Sequence, residues 1–312
     1  MKRLARHLLG KLGNYLGLQR LSSQIEDAKI LTGRLLADQL RSVGPAPGLE
    51  SVEFKVFSQF GEDGILQYLI HRCGLTEDLR TFVEFGVSDY EESNTRFLLM
   101  NDNWRGLVFD GSDNNIAHIR GQPWYWRHDL SAVQAFIDAE NIDVLITNNG
   151  FAGAIGILSI DIDGNDYWVW QAIKSVRPVI VIVEYNSLFG ASHPVTIPYD
   201  KSFTRNRAHY SNLYWGASLA ALERLARSKG YVCVGSNSAG NNVFFVRQDF
   251  AGMVHVVSPA QAYVRAQFRE SRDAAGALTF SAWEERLRLI RELSVYHLDR
   301  LETMSIGELY GI

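Results

Sequence analysis

Three aspartates crowd the stretch "SIDIDGNDYWVW", at Asp161, Asp163 and Asp166. Asp161 and Asp163 have the same parity, so on an extended strand both project to one side, while Asp166 lies past Gly164 and Asn165 where a helix can begin. Carboxylates this close repel one another unless one holds a proton, a cation sits among them, or a bound donor does. A hard cation such as Mg²⁺ suits an oxygen-rich set, and Glu184 or Asn186 of "VIVEYN" could complete it. The bland alternative is capping by Asp163 or Asp166 together with a buried hydrogen bond from Asp161. As proton acceptors, Asp161 and Asp163 are candidate general bases, joined by His193 in the loop "FGASHPVTIPYD". A solitary loop histidine is more often just solvated. Tyr167, Trp168 and Trp170 could stack on a flat ligand face, although aromatic residues at helical spacing more often fill a core.

A second set of polar residues closes short apolar runs. Glu84 and Gly86 lie in "VEFGVSDYEESNTRFLLM", Asp110 ends "GLVFD" and Asp129 ends "WRHD". Gly86 would let backbone approach a ligand where a side chain would block it. Asp110 could accept both hydroxyl protons of a ribose, and Asp129 could receive an adenine amino group. Either acid alone reads as a helix N-cap. Three acids at the ends of three consecutive predicted strands form a nucleoside-shaped constellation. No G-x-G-x-x-G run accompanies them, which counts against a dinucleotide pyrophosphate. Upstream, "SQFGEDGIL" places Ser58, Gln59, Glu62 and Asp63 before an apolar helical pattern, as acids in a first turn should lie.

These residues need a frame that brings strand ends together. Strands are predicted over 81–87, 106–111, 124–129, 156–163 and 178–186, with helical patterns between them, the signature of a mostly parallel sheet covered on both faces. After the helical "WGASLAALERLARSKG", the two runs of "YVCVGSNSAGNNVFFVR" read as an antiparallel hairpin closing the sheet. The expected fold class is α/β and Rossmann-like. "GPAPG" at 44–48 stops a preceding helix, which divides the chain into an N-terminal helical extension (1–48), a sheet domain (49–250) and a helical C-terminal extension (251–312) with Trp283, Leu287, Ile290 and Leu293 on one face.

The 312 residues are 46% apolar, enough for a sizeable core, and the net charge of −4 supplies no global basic field for nucleic acid. Cys73 and Cys233 have no metal-ligand spacing and fit a reducing compartment. The first twenty residues carry Lys2, Arg3, Arg6, Lys11 and Arg20 with no acid, and Leu4, Leu8, Leu12 and Leu16 form a stripe. Such a helix could lie on an anionic membrane surface or dock a second subunit. No run is long and apolar enough to span a bilayer.

"FVEFGVSDYEESNTRFLL" and "WRGLVFDGS" resemble motif I and the acidic second-strand motif of class I methyltransferases that use S-adenosylmethionine. The form is similar to FkbM-type and related bacterial polysaccharide-associated methyltransferases. The likeness continues through "LSIDIDGNDYWVW", "VIVEYN" and "GSNSAGNNVFFVR", over roughly 55–248. It implies O-methylation of a sugar or glycan at the cytoplasmic face of the membrane, with S-adenosylmethionine as cofactor and Mg²⁺ as a candidate aid in holding a diol. Motif I departs from the pattern by reading E-F-G-V with no further glycines, so Ser93, Asn94 and Thr95 must supply polar contacts or capping. The resemblance also implies that Gln59 meets the methionine end of the cofactor. Two other readings remain: an NAD-dependent nucleotide-sugar enzyme, and a methyltransferase-like scaffold that binds without turnover.

Overall fold

The structure is a computed structural model that describes residues 17–312. Most of the basic stripe over 1–20 lies outside the described residues. The helices are α1 (Leu18–Ser42), α2 (Glu62–Arg72), α3 (Arg96–Asp102), α4 (Asp113–Arg120), α5 (Ile142–Asn148), α6 (Asp166–Ala172), α7 (Arg205–Ala208), α8 (Leu219–Ser228), α9 (Pro259–Ala262), α10 (Trp283–Leu289) and α11 (Ile306–Tyr310). The strands are β1 (Thr81–Phe85), β2 (Arg105–Asp110), β3 (Leu130–Gln134), β4 (Gly153–Ile160), β5 (Val176–Glu184), β6 (Val195–Thr196), β7 (Tyr231–Ser236), β8 (Asn242–Arg247), β9 (Ser294–His297) and β10 (Glu302–Ser305).

Seven strands form one sheet in the order β3-β2-β1-β4-β5-β8-β7. The first five pair in parallel, and β8 inserts antiparallel between β5 and β7. That is the expected parallel sheet with its closing hairpin. Neighbouring strand residues point to opposite faces, so Val83, Leu107, Leu158, Val181 and Phe245 join one apolar layer while Phe82, Val108, Ile157, Ile180 and Phe244 join the other. Burial on both faces explains the near-continuous apolar runs of the central strands.

α1 ends at Ser42, before Pro45 and Pro47. Its inner face packs closely: a Cβ at Gly33 would collide with Val56 and the Phe97 ring.

One predicted strand is misplaced. Residues 125–127 form a 3-10 turn, and β3 begins only at Leu130. The aromatic run suggested a strand, but Trp124 instead packs beside Tyr90 and under the Arg96 guanidinium. The C-terminal stretch contains helices α9 to α11 and, beyond expectation, β9 and β10, which join β6 in a small antiparallel sheet.

Candidate active site

The carboxyl ends of β1, β2 and β4 open onto a cleft of about 890 Å³, with further walls from residues 135–137, 203–206, Asn212 and Glu270. β1 and β4 are neighbours, and the chain leaves β1 in one direction and returns from β3 to the other side of it at β4. Open α/β sheets bind ligands at such a switch point.

Glu84 anchors the wall after β1. Its carboxylate accepts Ser93 Oγ (2.6 Å), Asn94 N (2.9 Å), Thr95 N (3.2 Å) and the Thr95 hydroxyl. Burial pushes its pKa up, and the Ser93 and Thr95 hydroxyls oppose the shift. The side chain therefore holds the loop that leads into α3, and Ser93 and Thr95 aim their hydroxyls at Glu84 rather than capping the helix. Glu84, Ser93 and Asn94 line the cleft, whereas Thr95 is fully buried behind it. Asn94 Nδ2 reaches across to Ser159 Oγ on β4 (3.0 Å).

Gly86 has φ +70°, and a Cβ there would overlap the Asp161 carbonyl oxygen. The glycine is demanded by the adjoining strand end itself. Ser88, Asp163 and Asn212, all lining the cleft, also have positive φ. Strained non-glycine backbone clusters at sites whose geometry serves binding.

Asp110 lines the cleft at the end of β2. It accepts Ser88 N (2.9 Å), Ser112 N (2.8 Å) and Asn115 Nδ2 (2.9 Å), which fixes both carboxylate oxygens at the cleft floor. Gln59 also lines the cleft. Its segment is held by Asp63, whose Oδ2 accepts the N–H groups of Val56, Phe57 and Ser58 and the Ser58 hydroxyl, and by Glu62, which accepts Phe60 N and Gly61 N. Glu62 Oε1 also receives Asn237 and Asn242 from the closing hairpin. The acids of "SQFGEDGIL" are loop anchors, a role that a first-turn pattern does not reveal.

Asp129 is in the wrong place for an adenine contact. It precedes β3, at the opposite end of the sheet, is largely exposed and pairs with Arg105 (3.6 Å). In the parallel register Asp110 lies beside Gln134, so it is Ala135, Phe136 and Ile137, beyond the carboxyl end of β3, that line the cleft. Phe136 is 51% exposed there, and sequence reading missed it.

Beyond β4, one oxygen each from Asp161, Asp163 and Glu184 lies within 4.8 Å of the others. Burial, then the charges of Asp163 and Asp166, raise the Asp161 pKa; burial, then Asp161, raises that of Glu184. Glu184 is buried, and among the described residues its Oε2 has no hydrogen-bond partner. Two predicted members fall outside the cluster. Asp166 accepts Ile162 N and Gly164 N, one on each oxygen, and so braces the turn into α6. Asn186 donates to Leu213 O and Trp215 O and accepts Leu188 N.

Arg205, unnoticed in the sequence, supplies the balancing charge. Its Nη1 donates to Asp163 Oδ1 (2.7 Å), Nε to Asn212 O (2.8 Å) and Nη2 to Glu270 Oε2 (3.5 Å), and the guanidinium lies over Trp215. The lining thus holds eight carboxylates (Glu84, Asp89, Glu91, Glu92, Asp110, Asp161, Asp163 and Glu270), with Arg205 as the only lysine, arginine or histidine among the described residues there.

His193 does not reach the cleft. Its ring packs against His297 and Tyr310 of the C-terminal module. Trp170 packs on Tyr231 and Phe245, and Trp168 donates to Ile197 O, so the aromatic residues of α6 serve packing.

No family model matches the chain, and no curated protein matches it. Solved structures similar to it include the N-terminal domain of EvdMO1 with SAH bound, at 12% identity over 69% of this chain and 94% of that one, TM-score 0.37. An O-methyltransferase family protein from Burkholderia thailandensis is 12% identical over 73% and 59% of the two chains, TM-score 0.35. DszA carbon methyltransferase is 14% identical over 63% and 53%, TM-score 0.38. With the sheet order and the reversed β8, the fold is Rossmann-like, of the class I methyltransferase type.

Proposed function

We propose that the cleft binds S-adenosylmethionine and that the chain transfers its methyl group to a hydroxyl of a sugar or polysaccharide. One observation carries this reading: a switch-point cleft lined by eight carboxylates and one guanidinium. A sulfonium cofactor has a net positive charge and no phosphate, so this lining attracts it, whereas a dinucleotide pyrophosphate would meet repulsion. The absence of a glycine-rich phosphate loop fits the same choice.

In this reading Asp110 receives the ribose hydroxyls, Phe136 covers the adenine, and the Glu84-braced loop with Gln59 borders the methionine end. The cofactor, when bound, supplies an already activated methyl group. The chain's work is then to align an acceptor oxygen, exclude water and take up the hydroxyl proton. Asp161, beside Asp163 and Glu184, is placed for that proton, and Arg205 limits the repulsion within the cluster. Phe203, Asn206 and Asn212 offer an apolar face and hydrogen-bonding groups to a sugar.

The cluster also fits a divalent cation: three carboxylates converge, and the unpartnered Glu184 Oε2 is a ready oxygen donor. Asp161, Asp163 and Glu184 would hold Mg²⁺, which would supply charge neutralisation and a grip on a vicinal diol. Among the described residues no helix is long and apolar enough to cross a membrane; work on membrane-linked glycans at the cytoplasmic face is part of the proposal.

The test is transfer of labelled methyl groups from S-adenosylmethionine to a panel of neutral glycans, with and without Mg²⁺. Label on a sugar oxygen, lost in Asp161→Asn, supports the reading. Protein that binds the cofactor yet labels no glycan would remove the acceptor assignment, and turnover unchanged after chelation would remove the metal.

A further inference from the structure

Among the described residues, one face of α1 has no partner. Its inner side packs through Gly33 and Ala37 and through the Arg96–Glu26 ion pair (3.1 Å). On the outer side Leu21 is 53% exposed, Ile25 54%, Leu31 58% and Leu35 68%. At 100° per residue these side chains and Ala28 fall within about 120° of the helix surface, a stripe wide enough to seat another helix. Scattered exposed leucines need no explanation, but a continuous stripe on one helix does.

The stripe is symmetric in sequence. Ile25 and Leu31 lie equally far on either side of Ala28, as do Leu21 and Leu35. An antiparallel copy related by a two-fold axis at Ala28 therefore sets Leu21 against Leu35 and Ile25 against Leu31, twice over. The small alanine at the axis lets the helices approach closely. The charges match as well. Arg20 and Asp38 lie on the same flank, and in the antiparallel pair each comes within about one helical turn of the other's partner copy. Asp38 also accepts from Arg41 on its own helix (2.8 Å), which leaves its second oxygen for an intermolecular donor. The helix carries Arg20, Lys29, Arg34 and Arg41 against Glu26, Asp27 and Asp38, a nearly balanced set unlike the one-sided basic face of a membrane-surface helix.

We propose that α1 is a homodimerisation helix, pairing antiparallel with a second copy of this chain about Ala28. A two-fold interface must be self-complementary, and this face meets that requirement in both its apolar and its charged positions.

Sedimentation equilibrium of the full chain over a hundredfold concentration range tests it. The expected result is a concentration-dependent dimer for wild type and a folded monomer for Leu21→Arg/Leu35→Arg, with circular dichroism confirming the fold. Because α1 also packs inward, a gentler pair guards against misfolding: Arg20→Asp weakens the dimer at least tenfold, and Arg20→Asp/Asp38→Arg restores it. In Ala28→Cys, mild oxidation links two chains through position 28. A monomer at every concentration, a dimer indifferent to these substitutions, or a monomer that instead binds anionic phosphatidylserine vesicles through Leu21 and Leu35 would each overturn the proposal.

Discussion

The carbonyl oxygen of Asp161 occupies the space a side chain would need at Gly86, and so β1 and β4 meet at the floor of the cleft without a methyl group between them. Gly86 also has φ +70°. Two costs therefore fall on Gly86→Ala, a backbone conformation unfavourable to L-residues and an overlap with backbone that cannot rotate away. The expected destabilisation is about 2–4 kcal/mol. Urea unfolding measures it, and a change below about 0.5 kcal/mol contradicts the packing described.

The adenine contact expected at Asp129 and the one proposed at Phe136 separate experimentally. Phe136→Ala removes an exposed ring from the cleft and should weaken cofactor binding about tenfold, within the range for base stacking on an aromatic side chain. Its thermal midpoint should stay close to wild type, since the ring is half exposed. Asp129→Ala, at the far end of the sheet, should leave affinity unchanged. Titration of S-adenosylhomocysteine into both variants checks the pair.

Arg205→Met keeps much of the side-chain volume and removes the charge facing Asp163, Asp161 and Glu184. We expect methyl transfer to fall at least a hundredfold while cofactor affinity changes less than threefold, because Arg205 borders the part of the cleft proposed to take the acceptor. Steady-state kinetics with parallel calorimetry reads this out. Loss of cofactor binding with intact fold would place Arg205 elsewhere in the chemistry.

Buried acids give the protein an unusual pH response. Burial raises both Asp63 and Asp166 from ordinary values near 3.8 to about 6, against the hydrogen bonds that their carboxylates accept. Between about pH 4 and pH 6 the folded chain retains protons that the unfolded chain has released. Stability from these groups therefore falls as pH rises through that window and is level above it, by about 3 kcal/mol for each group. Urea midpoints at pH 4.5 and 7 should show a smaller fall in Asp166→Asn than in wild type. An equal fall in both would show that Asp166 does not titrate in this range.

What could be read from sequence depended on how local each signal is. Glu84, Gly86 and Asp110 each end a short apolar run, and the reversed hairpin announces itself by two alternating runs around a polar turn. β3 was misread because the aromatic residues 124–126 look more strand-like than the short "LSAVQ" that pairs with β2. That shift moved Asp129 from one end of the sheet to the other. Arg205 and Glu270 lie 42 and 107 positions beyond Asp163 in segments without periodicity, so only the folded chain shows that Arg205 joins the other two. β6 has two residues and β9 and β10 four each, too short for a period to stand out.

The central claim is that the carboxylate-lined cleft holds a sulfonium nucleoside. Calorimetric titration of S-adenosylmethionine into wild type and Asp110→Ala tests it most directly. The account predicts micromolar one-to-one binding, at least thirtyfold weaker in the variant and weakened by added salt, as an electrostatic attraction requires. No binding to folded wild-type protein, or equal binding to both proteins, would contradict it.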